Sequence, residues 1–93
     1  MIDIYDIVGQ AKMAVAEGMP EKALLILNNH SNENRGEVIF LKGEIYFELQ
    51  RWGESLNQFS AYLEQNPNDK QAESYIQMIQ NILGFYHRDR YNP

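Results

Sequence analysis

Residues 36–69 read GEVIFLKGEIYFELQRWGESLNQFSAYLEQNPND, and this stretch decides the fold. Its apolar residues recur at three- and four-residue steps in two runs, which is the spacing of one face of an α-helix. The first run predicts a helix over about 36–49, and the second predicts a helix that ends near residue 65. A turn at 50–53 separates them, and the Asn-Pro-Asn-Asp segment at 66–69 closes the second, because proline cannot continue a helix. The stretch therefore predicts an antiparallel pair of helices.

The same spacing extends outward on both sides of this pair. It predicts further helices over about 4–17, 20–30 and 70–86. Gly18 is placed to end the first helix of the chain, and Asp69 is placed to cap the last one. No segment alternates apolar and polar residues for long enough to indicate a strand. The chain is therefore predicted to be all-α, with five helices in antiparallel hairpins.

The chain also repeats itself at an offset of 32 residues. Residues 18–23 (GMPEKA) and residues 50–55 (QRWGES) each read as a tight turn followed by a small residue. Residues 36–69 resemble the tetratricopeptide repeat, whose glycine, aromatic, second-helix aromatic and closing proline match Gly43, Tyr46, Phe59 and Pro67. The physical reason for these types is that glycine lets two helices approach, aromatic rings fill the gap between them, and proline ends the pair.

The resemblance is uneven along the chain. In residues 36–69, isoleucine, lysine and serine replace the motif's usual tryptophan, leucine and alanine, at Ile39, Lys42 and Ser55. The first unit is weaker, because it has no closing proline and is about two residues short. It carries Ala11, Ala14 and Leu27 at the glycine, tyrosine and aromatic positions.

The resemblance implies a single domain folded as a short right-handed α-solenoid of stacked hairpins. Its repeats would cover about 4–35 and 36–69, a capping helix would cover about 70–86, and residues 87–93 would form a tail. The capping helix would cover the apolar face that helices three and four leave bare.

In this family the first helix of each pair lines a concave groove that binds peptides or helices of partner proteins. The resemblance implies the same function here. The residues that would line the groove are Tyr5, Val8, Lys12 and Val15 in the first unit, Glu37, Phe40, Glu44, Phe47 and Glu48 in the second, and Ser74 and Met78 on the last helix. An apolar strip of Val8, Phe40 and Phe47 bordered by carboxylates predicts a partner segment with apolar anchors and Lys or Arg flanks. The alternative is that Phe40 and Phe47 simply pack against helices one and five.

Some members of the family bind the acidic carboxy-terminal peptide of chaperones through Lys, Asn and Arg. The corresponding positions here are Val8, Lys12, Leu41 and Glu37, so this clamp is essentially absent. Glu37 and Glu44 would repel an acidic peptide.

Composition narrows the function further. The formal net charge of −5 argues against binding nucleic acid or an anionic membrane, and the absence of cysteine rules out a thiolate metal site. The two histidines, His30 and His87, lie far apart, and there is no phosphate-binding loop or metal-ligand spacing. We therefore expect no catalysis and no cofactor. No apolar run is long enough to span a membrane and the acidic start is unlike a signal peptide, so a cytoplasmic protein is the default expectation.

The end of the chain supports a second hypothesis. Residues 87–93 (HRDRYNP) interleave aromatic and basic side chains on an otherwise acidic protein. They could pair two copies of the chain, which would make the protein a self-associating structural unit. The sequence leaves open whether the chain is a monomer or a weak homodimer.

Overall fold

The computed structural model describes residues 4–30 and 35–86. Within this part of the chain there are five helices and no strand, which confirms the all-α prediction. The helices are α1 (Ile4–Ala16), α2 (Pro20–His30), α3 (Gly36–Glu48), α4 (Trp52–Gln65) and α5 (Lys70–Tyr86). The predicted turn at 50–53 was too long, because Trp52 and Gly53 already belong to α4. The tail, residues 87–93, lies outside the described residues.

Two turns with the same hydrogen-bond pattern connect α1 to α2 and α3 to α4. After α1, Met19 N donates to Ala14 O at 2.8 Å and Gly18 N donates to Val15 O at 3.0 Å. After α3, Arg51 N donates to Tyr46 O at 2.9 Å and Gln50 N donates to Phe47 O at 3.0 Å. This paired pattern is the Schellman motif, which requires a left-handed residue just past the helix. Gly18 (φ 80°) and Gln50 (φ 61°) supply that residue, 32 positions apart.

The left-handed backbone at Gln50 is strained, because a side chain in this region costs about 1–2 kcal/mol relative to glycine. We expect Gln50→Gly to raise the free energy of unfolding by about 0.5–1 kcal/mol, since glycine loses part of the gain through greater freedom in the unfolded chain. Urea denaturation followed by circular dichroism measures the change. The control is Gln77→Gly, at an exposed position inside α5, which should destabilise by about 1 kcal/mol. A loss of stability at both positions would contradict the strain argument.

The first core lies between α1, α2 and α3. Its buried side chains are all aliphatic, and Ala11, Ala23, Leu27 and Val38 are fully buried. The other members are Ile7, Val8, Ala14, Leu24, Leu41 and Ile45. This core joins the first hairpin to the second, because α3 contributes three of its side chains.

The second core lies between α3, α4 and α5 and is mainly aromatic. Phe59, Ala72 and Ile79 are buried at its centre. Phe40, Phe47, Trp52, Leu56, Tyr62, Leu63, Tyr75, Ile76 and Leu83 pack around them. The amphipathic α5 therefore covers α3 and α4, as predicted. Asp69 also caps it as predicted, since Ala72 N donates to Asp69 Oδ1 at 2.9 Å.

None of the helices in the described part of the chain combines the length and hydropathy needed to cross a membrane.

Candidate functional site

A concave groove opens along α3, between α1 and the starts of α4 and α5. We call it the main groove; its volume is about 670 Å³. It is lined by Lys12, Val15, Leu41, Glu44, Ile45, Phe47, Glu48, Gln50, Trp52 and Tyr75. These residues come from α1, from α3 and its following turn, and from the starts of α4 and α5. The site therefore depends on the stacking of both hairpins and the last helix.

A smaller groove of about 400 Å³, the side groove, lies next to the main groove toward the start of α3. It is lined by Lys12, Gly36, Glu37, Phe40, Leu41, Glu44, Tyr62 and Asn66. Because Lys12, Leu41 and Glu44 line both cavities, the two grooves adjoin along α3. Together they form a surface on which an extended chain or a helix could lie.

The aromatic rings of the main groove contact one another and so restrict one another's position. The Phe47 ring meets the Trp52 ring edge-on, with centroids 5.1 Å apart, and meets the Tyr75 ring edge-on at 5.2 Å. Tyr75 in turn stacks on the buried Phe59 at 4.4 Å. Such ring pairs are worth about 0.5–1.5 kcal/mol each beyond their buried area. The groove therefore presents a preorganised aromatic wall.

Two carboxylates stand beside this wall. Tyr75 Oη donates a hydrogen bond to Glu44 Oε2 at 3.1 Å. Burial raises the pKa of Tyr75, and the charge of Glu44 raises it further, so the hydroxyl stays protonated and acts as a donor at neutral pH. Glu48 follows Glu44 by one helical turn and is exposed.

Neither carboxylate has a cation at close range within the described residues. The ion pairs found there are Arg51 with Glu54 and Lys70 with Glu73. Lys12 lines the same groove but lies more than 4.0 Å from both carboxylates. Glu44 and Glu48 are four residues apart on one helix, where two like charges destabilise the helix slightly. The groove therefore carries negative charge that nothing in this part of the fold neutralises closely.

Most residues predicted to line the groove do line one of the two cavities. Lys12, Val15, Glu44, Phe47 and Glu48 line the main groove, and Glu37 and Phe40 line the side groove.

For Phe40 and Phe47 the predicted packing against helix five is observed, whereas their other ring contacts are with α4, where the alternative named helix one. Both are half-buried against aromatic rings of α4 and α5, and both still line a groove.

Three predicted residues differ in their placement. The prediction for Val8 was wrong, because its side chain is only 3% exposed and belongs to the first core, so it cannot form part of an apolar strip. Ser74 and Met78 are exposed on α5 but line neither groove. Tyr75, one residue after Ser74, is the α5 residue that lines the main groove. Tyr5 lies on α1, and its side chain is outside the part that the structure describes.

Sequence reasoning missed five residues of the main groove: Leu41, Ile45, Gln50, Trp52 and Tyr75. The sequence places Trp52 in the turn at 50–53 and Tyr75 on the last predicted helix, and it assigns neither residue to the groove. Their residue types could have indicated the groove, because Trp and Tyr combine a large apolar body with a polar tip and are enriched at binding surfaces.

Within residues 4–30 and 35–86, no three His, Asp or Glu side chains converge to hold a metal ion. The chain matches no protein-family model, and no curated protein or solved structure is significantly similar to it.

Proposed function

We propose that this chain is a small tetratricopeptide-like module that binds a peptide or helix of a partner protein in the main groove and catalyses no reaction. The single observation that carries the proposal is an aromatic wall beside two carboxylates that make no ion pair within the described residues, in a cavity of about 670 Å³ that one lysine, Lys12, also lines. Aromatic side chains supply most of the binding energy at protein interfaces, and complementary charge selects the partner.

The geometry of the hairpins supports a repeat architecture. The two Schellman turns lie 32 residues apart. The small residues that follow them, Ala23 and Ser55, are both fully buried. Gly43 lies against the ring of Phe59, as the glycine and second-helix aromatic of the repeat would. We infer that the hairpins stack as a short right-handed solenoid with α5 as its cap.

The partner segment should be apolar at one or two positions and basic beside them. Phe47, Trp52 and Val15 offer surfaces for an aliphatic or aromatic anchor. Glu44 and Glu48 favour a neighbouring positive charge and disfavour an acidic peptide.

A displayed library of random peptides tests this function. We expect selection on the immobilised full chain to enrich peptides that combine an apolar anchor with Lys or Arg. Their binding should change the fluorescence of Trp52, which is the single tryptophan of the chain and lines the groove.

The charge dependence provides the control. Glu48→Gln should weaken the selected peptides about three- to fivefold at low salt, which is the effect of about 0.6–1 kcal/mol for a partly exposed pair. Glu64→Gln removes the same charge from an exposed position on α4 outside both grooves, and it should leave affinity unchanged. Enrichment of acidic peptides, or peptides that bind without affecting Trp52, would refute the proposed site.

A further inference from the structure

We propose that the main groove selects arginine over lysine in the segment it binds. This inference rests on the proposed function and specifies its partner: a segment in which one arginine lies against the Trp52 and Tyr75 rings and pairs with Glu44 and Glu48. Three features of the chain support it: the carboxylates of the groove, its aromatic rings, and an arginine outside the groove that lies against a ring and a carboxylate.

The carboxylates have capacity for a planar cation. Side chains four residues apart on a helix have Cβ atoms about 5–6 Å apart, so Glu44 and Glu48 are neighbours on α3. A carboxylate has about four acceptor positions, and the hydrogen bond from Tyr75 to Glu44 Oε2 uses one of them. Guanidinium offers five donors in a fixed plane, which lets it bind two oxygens at once, whereas ammonium acts as a point charge.

The rings favour the same ligand. Phe47, Trp52 and Tyr75 are half-buried and all three line the groove, although one face of Tyr75 is covered by Phe59. A cation over such a ring is attracted by its quadrupole, most strongly over tryptophan, and arginine takes this position more often than lysine. Guanidinium is also more weakly hydrated than ammonium, so it loses less when it leaves water to stack on a ring.

The chain contains the same arrangement within its own fold. The guanidinium carbon of Arg51 lies 5.0 Å from the centroid of the Tyr46 ring. The same guanidinium makes two hydrogen bonds to the carboxylate of Glu54, one of them from Nε at 2.9 Å. This arginine, held between a ring and a carboxylate, lies just outside the main groove at the same end of α3. The groove brings Trp52 and Tyr75 together with Glu44 and Glu48 in one cavity, without an arginine from the described residues.

Two matched peptides test the inference. One is acetyl-Leu-Arg-Ala-Phe-Arg-Leu-amide, and the other has lysine at both basic positions. Each is titrated into the full chain by calorimetry and by Trp52 fluorescence. We expect the arginine peptide to bind about fivefold more tightly and to change Trp52 emission more strongly.

The variants separate this inference from the proposed function. Glu44→Gln/Glu48→Gln should weaken the arginine peptide at least fivefold and remove its advantage over lysine, whereas Glu64→Gln should change neither affinity. Equal affinities that still depend on Glu44 and Glu48 would overturn the arginine selectivity and leave the proposed function standing. Binding of neither peptide, to the unmodified chain or to the tail variant described next, would overturn both.

One further variant removes a possible competitor. Arg88 and Arg90, outside the described residues, are the arginines of the tail, and the tail of the same or another copy could occupy the groove. The titrations are therefore repeated with Arg88→Ala/Arg90→Ala in the full chain. Binding that appears or tightens in this variant, with the same preference for arginine, supports the inference. Absence of binding in this variant as well contradicts it.

Discussion

Replacing Gly43 by alanine is expected to lower the free energy of unfolding by about 1–3 kcal/mol, although alanine is the better helix former. A Cβ at residue 43 would lie 2.8 Å from Cζ and 2.9 Å from Cε1 of Phe59, distances at which one of the groups must move. The Phe59 ring cannot move easily, because it is fully buried and stacked on Tyr75 at 4.4 Å. Overpacking typically costs about 1–3 kcal/mol and occasionally more; against a ring that cannot move we expect about 2–4 kcal/mol, so about 1–3 kcal/mol remains after the gain of about 1 kcal/mol in helix propensity.

The backbone at this point is equally constrained. Ser55 Oγ donates a buried hydrogen bond to Gly43 O at 2.7 Å, which fixes the distance between α3 and α4. The helices therefore cannot separate to accept a methyl group without losing this bond, whose net contribution is about 1 kcal/mol.

A matched control distinguishes the steric effect from helix propensity. Gly9 lies inside α1, is exposed, and has no atom within 4 Å of where its Cβ would be. Gly9→Ala should therefore stabilise the protein by about 0.5–1 kcal/mol. Urea denaturation followed by circular dichroism compares the two variants. Stabilisation by both substitutions would contradict the close packing at Gly43.

A second substitution should compensate for the first. In the first hairpin the positions that correspond to Gly43 and Phe59 are Ala11 and Leu27, both fully buried in the first core. Compared with the second hairpin, the first thus has a larger residue on its first helix, alanine for glycine, and a smaller residue on its second helix, leucine for phenylalanine. Gly43→Ala/Phe59→Leu should be more stable than the sum of the single changes predicts, with a coupling of about 1 kcal/mol in a double-mutant cycle.

The positions of the helices could be predicted because their signals are local. Apolar residues at helical spacing, Gly18 after α1 and Asp69 before α5 act within a few residues of each helix end. The 32-residue repeat was also visible in the sequence, although Gln50 replaces the expected glycine in the second turn. The shared hydrogen-bond pattern shows that the backbone keeps the turn at the cost of strain.

The groove could be predicted only in part because it depends on how the helices are rotated against one another. Consecutive residues on a helix point about 100° apart, so a small rotation exchanges one for the next. On α5 this difference brings Tyr75 into the main groove in place of Ser74. On α1 it places Val8 in the first core, which also contains Leu41 and Ile45 of α3.

Phe59→Ala should have the largest effect on stability, a loss of about 3–5 kcal/mol. Phe59 is fully buried, stacks on Tyr75 and meets the Phe40 ring edge-on at 5.2 Å. Removing such a ring costs the transfer energy of its carbons and leaves a cavity. A domain of this size has roughly 5–14 kcal/mol in total, so this variant should be close to unfolding without denaturant.

The same variant shows whether the two cores unfold together. Trp52 fluorescence reports on the second core, whereas circular dichroism reports on all five helices. Because α3 contributes Leu41 and Ile45 to the first core and Phe40 and Phe47 to the second, loss of the second core should also remove one wall of the first. We expect both signals to shift to lower urea by the same amount in Phe59→Ala, and also in Leu27→Ala, which opens the first core. If half of the helical signal persisted after the Trp52 transition, the two hairpins would unfold independently. In that case two units would be too few to stabilise each other through their shared interface, as the neighbouring units of a repeat array must.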